Sequence, residues 1–280
     1  MTKSPGQNRT SHLFAGIGTI DGVNLSLNNR VALVSGSSRG IGKAIAAAFL
    51  REGCRVCITA RNEAPLAAAL AEFEAEFEKG RAISFCGDLT DSKIIERAVR
   101  GTHGQWGRLD AVVANLGSGS GKPGWQLDPE EWERLFRLNF FASVNLAQAA
   151  IPLLAESKHG ALLFIASITG AEATAAPLPY SAAKAALINY SKNLASQVAK
   201  LGVRVNCIAP GNILFPGGNW ERHLEKDKNK VMQMIESSVP LARFGRPEEI
   251  ADMAVFLCSD AATFITGACV KADGGQTKSY

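Results

Sequence analysis

Hydrophobic and polar positions alternate along this chain between two regimes. Short, almost continuous apolar runs occur at Val31 to Val34, Arg55 to Ala60, Ala82 to Cys86, Leu109 to Ala114, Gly160 to Ala166, Val203 to Ile208 and Ala268 to Ala272. Such runs suit strands covered on both faces. Between them lie longer stretches with helical spacing: Ile41 to Leu50, Ala64 to Lys79, a segment capped by Asp91 that runs to about His103, Pro129 to Leu154, Tyr180 to Leu201 closed by Gly202, and Pro247 to Cys258. Strand alternating with helix predicts successive βαβ units with right-handed crossovers. The expected architecture is one doubly wound α/β domain around a mostly parallel seven-stranded sheet. Residues 1–26, rich in Ser, Thr, Gly and Asn without a clear period, read as a flexible arm, and residues 27–280 as the domain. Residues 212–239 form the longest irregular insertion, expected as a substrate loop or lid over the carboxyl ends of the strands.

Composition narrows the function classes. At 280 residues with 46% hydrophobic positions, the chain is long enough for one α/β domain with a complete core. A net charge of +4, with basic residues scattered and no aromatic-interleaved stripe, gives no support to nucleic-acid binding. No continuous apolar run approaches the roughly 18 residues of a membrane span. Six cysteines sit mostly in apolar runs and read as small buried hydrophobes. Cys54 and Cys57 form a CxxC, but on a strand residues three apart point to opposite faces, which suits neither a redox pair nor a metal. The four histidines lack metal-ligand spacing and read as surface residues, so no metal is expected. A reduced, cytoplasmic protein is the expectation.

The stretch VALVSGSSRGIGKAI, Val31 to Ile45, carries the first chemical signal. An apolar strand breaks into Gly36, Gly40 and Gly42 and restarts as a helix. Without a Cβ the turn reaches backbone angles closed to other residues, and a pyrophosphate can approach the free amides of the helix start.

A second signal lies at Tyr180 and Lys184, four residues apart and on one helix face. A free phenol titrates near 10, too high for ready proton exchange at neutral pH. An ammonium about 4 Å away at an effective dielectric near 20 supplies about 4 kcal/mol, which draws the phenol toward neutrality. Ser167, just beyond the fifth strand, emerges at the sheet's carboxyl edge, where its hydroxyl can hold a carbonyl oxygen beside the phenol. It is no nucleophile elbow, because Ile165 and Thr169 stand where GxSxG needs glycines. Asn115 and Asn139 are polar residues on mainly apolar segments, and the expectation is that a cofactor or ordered water supplies their partners.

In order, GSSRGIG, the DL at Asp88, Asn115 with Gly117, Asn139, Ser167, YSAAK and the PG at Pro210 resemble the short-chain dehydrogenase/reductase family over roughly Leu27 to Gly275. The resemblance implies a Rossmann domain with Tyr180 as acid, Lys184 on the nicotinamide ribose and lowering the tyrosine's pKa, Ser167 orienting substrate, and Asn139 holding a relay water. It also implies cofactor contacts from Ser38 and Ile41 in the glycine turn, Asp88 and Leu89 near the adenine, Asn115 and Gly117 along the cofactor, and Pro210, Gly211 and Ile213 after the sixth strand. Three positions depart from the family pattern. Ala114-Asn115-Leu116-Gly117 stands for the usual NNAG, Ser35 replaces the threonine before the first glycine, and Phe215 occupies the usual threonine position after Pro210-Gly211, which puts one cofactor amide contact in question.

An NAD-selective site of this kind carries an acid at the end of the second strand. Here that end reads Thr59-Ala60-Arg61, and with Arg39 and Arg61 as guanidinium candidates for a 2′-phosphate, NADP(H) is favoured over NAD(H). Trp125, Phe215 and Trp220 are candidates either to wall an apolar pocket or to pack the lid on its own domain. The expected reaction moves hydride between NADP(H) and a small carbonyl or alcohol substrate, as in 3-oxoacyl-carrier-protein reductases and related ketoreductases. An alcohol, sugar or steroid dehydrogenase and a silent nucleotide-binding sensor are the alternatives. The resemblance also implies a homotetramer, or a homodimer, built on the helices Pro129 to Leu154 and Tyr180 to Leu201.

Overall fold

The computed structural model describes residues 24–279. Most of the expected arm, residues 1–23, therefore lies outside the described residues. Seven parallel strands, β1 (Val31–Val34), β2 (Arg55–Ala60), β3 (Ala82–Cys86), β4 (Ala111–Ala114), β5 (Ala161–Ile165), β6 (Arg204–Pro210) and β7 (Cys269–Ala272), lie in the order β3-β2-β1-β4-β5-β6-β7. Strand order reverses between β1 and β4, so the crevice outside their carboxyl ends is where such a sheet binds ligands.

Each face of the sheet has its own core. Ala32 and Val34 of β1 point into one, which is covered by α1 (Gly40–Arg51), α2 (Glu63–Glu76) and the helix Pro247–Cys258. Val31 and Leu33 point into the other. That opposite face is covered by α3 (Ser92–Trp106), by the helical stretch Pro129–Glu156, and by the long helix Leu178–Val198. Every residue of β1 and β4 is buried, which is why those segments read as unbroken apolar runs.

Element boundaries follow local chemistry. Asp91 caps α3 by accepting from the Lys93 amide at 2.8 Å, and α3 runs on to Trp106, where Gly107 turns left-handed at φ 72°. The stretch from Pro129 is not one regular helix. It divides into α4 (Pro129–Phe136), a π turn at Arg137–Phe141 and α5 (Ala142–Glu156). It is also long and apolar enough to cross a membrane, contrary to the expectation from continuous runs, because scattered alanines raise its apolar content without forming one. Leu146, Ala147, Ala150 and Leu154 of this stretch are packed into the core. The long helix is α6 (Leu178–Val198), followed by a 3-10 turn to Leu201 and by Gly202 at φ 78°.

Three further expectations are corrected. Residues 212–239 are largely helical, as α7 (Asn219–Lys226) and α8 (Lys228–Ser238), with Asp227 capping α8 through the Lys230 amide; α9 is then Pro247–Cys258. The mixed charge run from Glu221 to Lys230 is mostly exposed and forms their wet side. Cys86 is exposed and Cys269 half-buried, because β3 and β7 are the edges of the sheet. Trp125 is 76% exposed and does not wall a pocket. Cys54 and Cys57 do point into opposite cores.

Candidate active site

A cavity of about 570 Å³ runs along the carboxyl ends of the strands. At one end it is lined by Arg61, Asp88 and Leu89, and in the middle by Gly36, Ser38, Arg39 and Ile41. Asn115 and Gly117 follow, then Ser167, Tyr180 and Lys184, with Pro210, Gly211 and Ile213 on the β6 side. Gly40, Gly42 and Asn139 do not line it. They act on its walls.

Gly36 and Gly40 have φ of 60° and 56°, a conformation that favours glycine. A Cβ on Gly42 would stand 2.5 Å from Asn115 Nδ2 and closer still to the Gly36 carbonyl. Asn115 ties this turn to β4: its Nδ2 donates to the Ser35 and Gly36 carbonyls at 3.2 and 3.1 Å, and its amide donates to Ser35 Oγ at 2.9 Å. The serine that replaces the usual threonine thus puts its hydroxyl to use. Helix α1 starts with no side-chain cap and no acid in its first turn, so its first amides remain free for an anion.

Asn139 lies in the π turn and is fully buried. Its Nδ2 donates to the Leu135 and Ser118 carbonyls at 3.0 and 3.2 Å, and its Oδ1 accepts from the Ser118 amide at 2.9 Å. The Asn139 side chain is therefore satisfied by the backbone at both atoms, and that of Asn115 at its Nδ2. For Asn139 the expectation that a cofactor or water supplies its partners is corrected, because its amide pins the Ser118 loop, while Asn115 ties down the glycine turn and lines the cavity.

Lys184, only 3% exposed, donates from Nζ to the Ile165 carbonyl at 3.0 Å and the Leu116 carbonyl at 3.2 Å. Burial pulls its pKa down to about 8, and nearby Cys207 opposes that. The ammonium stands 5.9 Å from the Tyr180 ring centroid. Burial raises the Tyr180 phenol above its ordinary value, and a hydrogen bond with Ser167 acts against that. The expected lowering toward neutrality by Lys184 is thus corrected: in this structure the phenol holds its proton. Ser167 Oγ is itself oriented by the Thr169 amide at 3.3 Å.

Arg39 does not stand free. Its Nη1 donates to the Gly217 carbonyl of the segment before α7, at 2.9 Å. Phe215 packs its ring on Gly40, where a Cβ would meet it at 2.5 Å. Trp220 lines the cavity and packs against His223 and Phe244, both at 5.5 Å. Ser118, Gly119 and Asn219 also line the cavity and were missed from sequence. No local motif marks them, since Ser120 and Asn219 meet across 99 residues.

A family model described as Enoyl-(Acyl carrier protein) reductase matches residues 36–277. The chain belongs to the short-chain dehydrogenase/reductase family. As a member it is an oxidoreductase acting on CH–OH and carbonyl groups. It is 35% identical over 253 residues to a 3-oxoacyl-[acyl-carrier-protein] reductase of Chlamydia trachomatis, covering 89% of this chain and 98% of that protein. The corresponding reductase of Escherichia coli is 33% identical over 252 residues, covering 90% and 99%. The structure of L-sorbose reductase from Gluconobacter frateurii, complexed with NADPH and L-sorbose, matches with a TM-score of 0.87 and 33% identity, covering 92% of this chain and 100% of that one.

Proposed function

We propose that this short-chain dehydrogenase/reductase uses NADP(H) to reduce a ketone to a secondary alcohol, with Ser167, Tyr180, Lys184 and Asn139 as its working residues. The observation that carries the reading is the convergence of Ser167, Tyr180 and Lys184 in one cavity with the uncapped start of α1 and with Arg61. The cradle fits a dinucleotide: the glycine turn has no room for side chains, and the α1 amides suit a pyrophosphate. Arg61 is exposed at the end of β2 with no acid in its place, which favours a 2′-phosphate.

When bound, NADPH supplies the hydride that reduces the carbonyl carbon. Ser167 holds the carbonyl oxygen, and Tyr180, kept protonated by burial, gives that oxygen its proton. Lys184 places a positive charge beside the phenolate that this transfer leaves. Asn139 positions the Ser118 loop of the cavity wall through both atoms of its amide. The sequence relatives and the structural neighbour differ in substrate, yet both names denote reductases, and the ketone is the shared chemistry. Free thiols at all six cysteines suit a cytoplasmic setting. Exposed Phe141 and Leu178, next to α5 and at the start of α6, support assembly as a homotetramer or homodimer.

Tyr180→Phe tests the reading. NADPH oxidation with a ketone should fall by about a hundredfold or more while NADPH binding persists. Full turnover in the variant would refute it.

A further inference from the structure

The substrate end of the cavity has a polar wall that the reduction itself does not use. Gly119 sits between two groups: a Cβ there would lie 3.4 Å from Asn219 Nδ2 and 3.8 Å from the Tyr180 ring. Both are ordinary contacts, so the space beside the phenol holds one carbon-sized group and ends on an amide. Asn219 Oδ1 accepts from Ser120 Oγ at 3.3 Å, which fixes the amide across the two walls. Its Nδ2 has no protein acceptor among the described residues. Ser118, which also lines the cavity, accepts the Ser120 amide at 3.2 Å and is held by Asn139, so its hydroxyl hydrogen too is left for a ligand.

We propose that the substrate is a small ketone carrying a hydroxyl on the carbon next to the carbonyl, with Asn219, Ser118 and Gly119 setting that specificity. The inference rests on the ketoreductase reading above. With the carbonyl between Ser167 and Tyr180, its neighbouring carbon falls toward Gly119, and a hydroxyl there meets the Asn219 and Ser118 donors. An apolar acyl chain would cover the same donors without pairing them, which costs binding.

The test compares kcat/KM, with NADPH, for 1-hydroxy-2-butanone, 2-butanone and acetoacetyl-coenzyme A. The native protein should prefer the hydroxyketone to each of the others by about tenfold or more. Asn219→Leu should cut the ratio of hydroxyketone to butanone about tenfold, mainly through KM. Gly119→Ala, whose methyl meets only ordinary contacts and so leaves the fold intact, should cut it as well by filling the space. A native ratio within twofold of unity, or faster turnover of the thioester, would overturn the proposal while leaving the ketoreductase reading standing. NADPH binding with no reduction of any carbonyl compound would defeat both.

Discussion

Lys184→Met isolates the electrostatic step. Taking the ring centroid as the position of the developing phenolate charge, the ammonium at 5.9 Å contributes ~3 kcal/mol at an effective dielectric near 20, or about a hundredfold in rate. The native amine, with its pKa pulled to about 8 by burial, is charged below that value and neutral above it. The kcat/KM for ketone reduction should therefore hold below about pH 8 and fall tenfold per pH unit above it. In Lys184→Met the rate should be about a hundredfold lower near neutrality, and the alkaline limb should vanish. Steady-state loss of nicotinamide absorbance between pH 6 and 10 measures both, and a fluorescence titration of NADPH separates lost binding from lost catalysis. A variant within threefold of the native rate, or one that keeps the limb near pH 8, would refute the assignment of that charge to catalysis.

Other perturbations read other parts of the molecule. Gly42→Ala drives a methyl into the Gly36 carbonyl and the Asn115 amide, so NADPH affinity should drop by more than about tenfold in a fluorescence titration. Arg61→Asp should weaken NADPH and strengthen NADH, changing the ratio of their dissociation constants by about tenfold or more, and an unchanged preference would sink the 2′-phosphate role. Asp110, buried at the amino edge of the sheet, accepts from the Val31 amide and from Arg108 at 2.8 Å and from Ser157 Oγ at 2.5 Å. Burial pushes its carboxyl up, but these bonds outweigh burial and leave the pKa lowered. Its stabilisation is thus present above the unfolded value near 4 and is lost as pH falls through the folded value. Asp110→Asn should cost ~2–3 kcal/mol at pH 7 by urea unfolding, with the deficit shrinking in acid. Phe141→Asp, placing a charge on an outward apolar position, should lower the mass seen by light scattering if the assembly uses that face.

The alternation of strands and helices, the glycine turn and the Tyr180 to Lys184 spacing were all readable along the chain, because each is a local pattern: burial on both faces makes a continuous apolar run, and four residues on a helix share a face. The mixed charge run Glu221 to Lys230 reads as the wet side of a short helix, but its pattern does not show that two helices, α7 and α8, follow one another across residues 219–238. Contacts between distant segments leave no such trace. The Arg39 bond to Gly217, the Phe215 ring on Gly40 and the Ser120 to Asn219 bridge exist only once the segment after β6 folds back over the strand ends. The proton affinities of Tyr180 and Lys184 belong to the same category. Residue type sets their ordinary values, but the exclusion of water around them determines which way each moves, and that is a property of the packed tertiary structure.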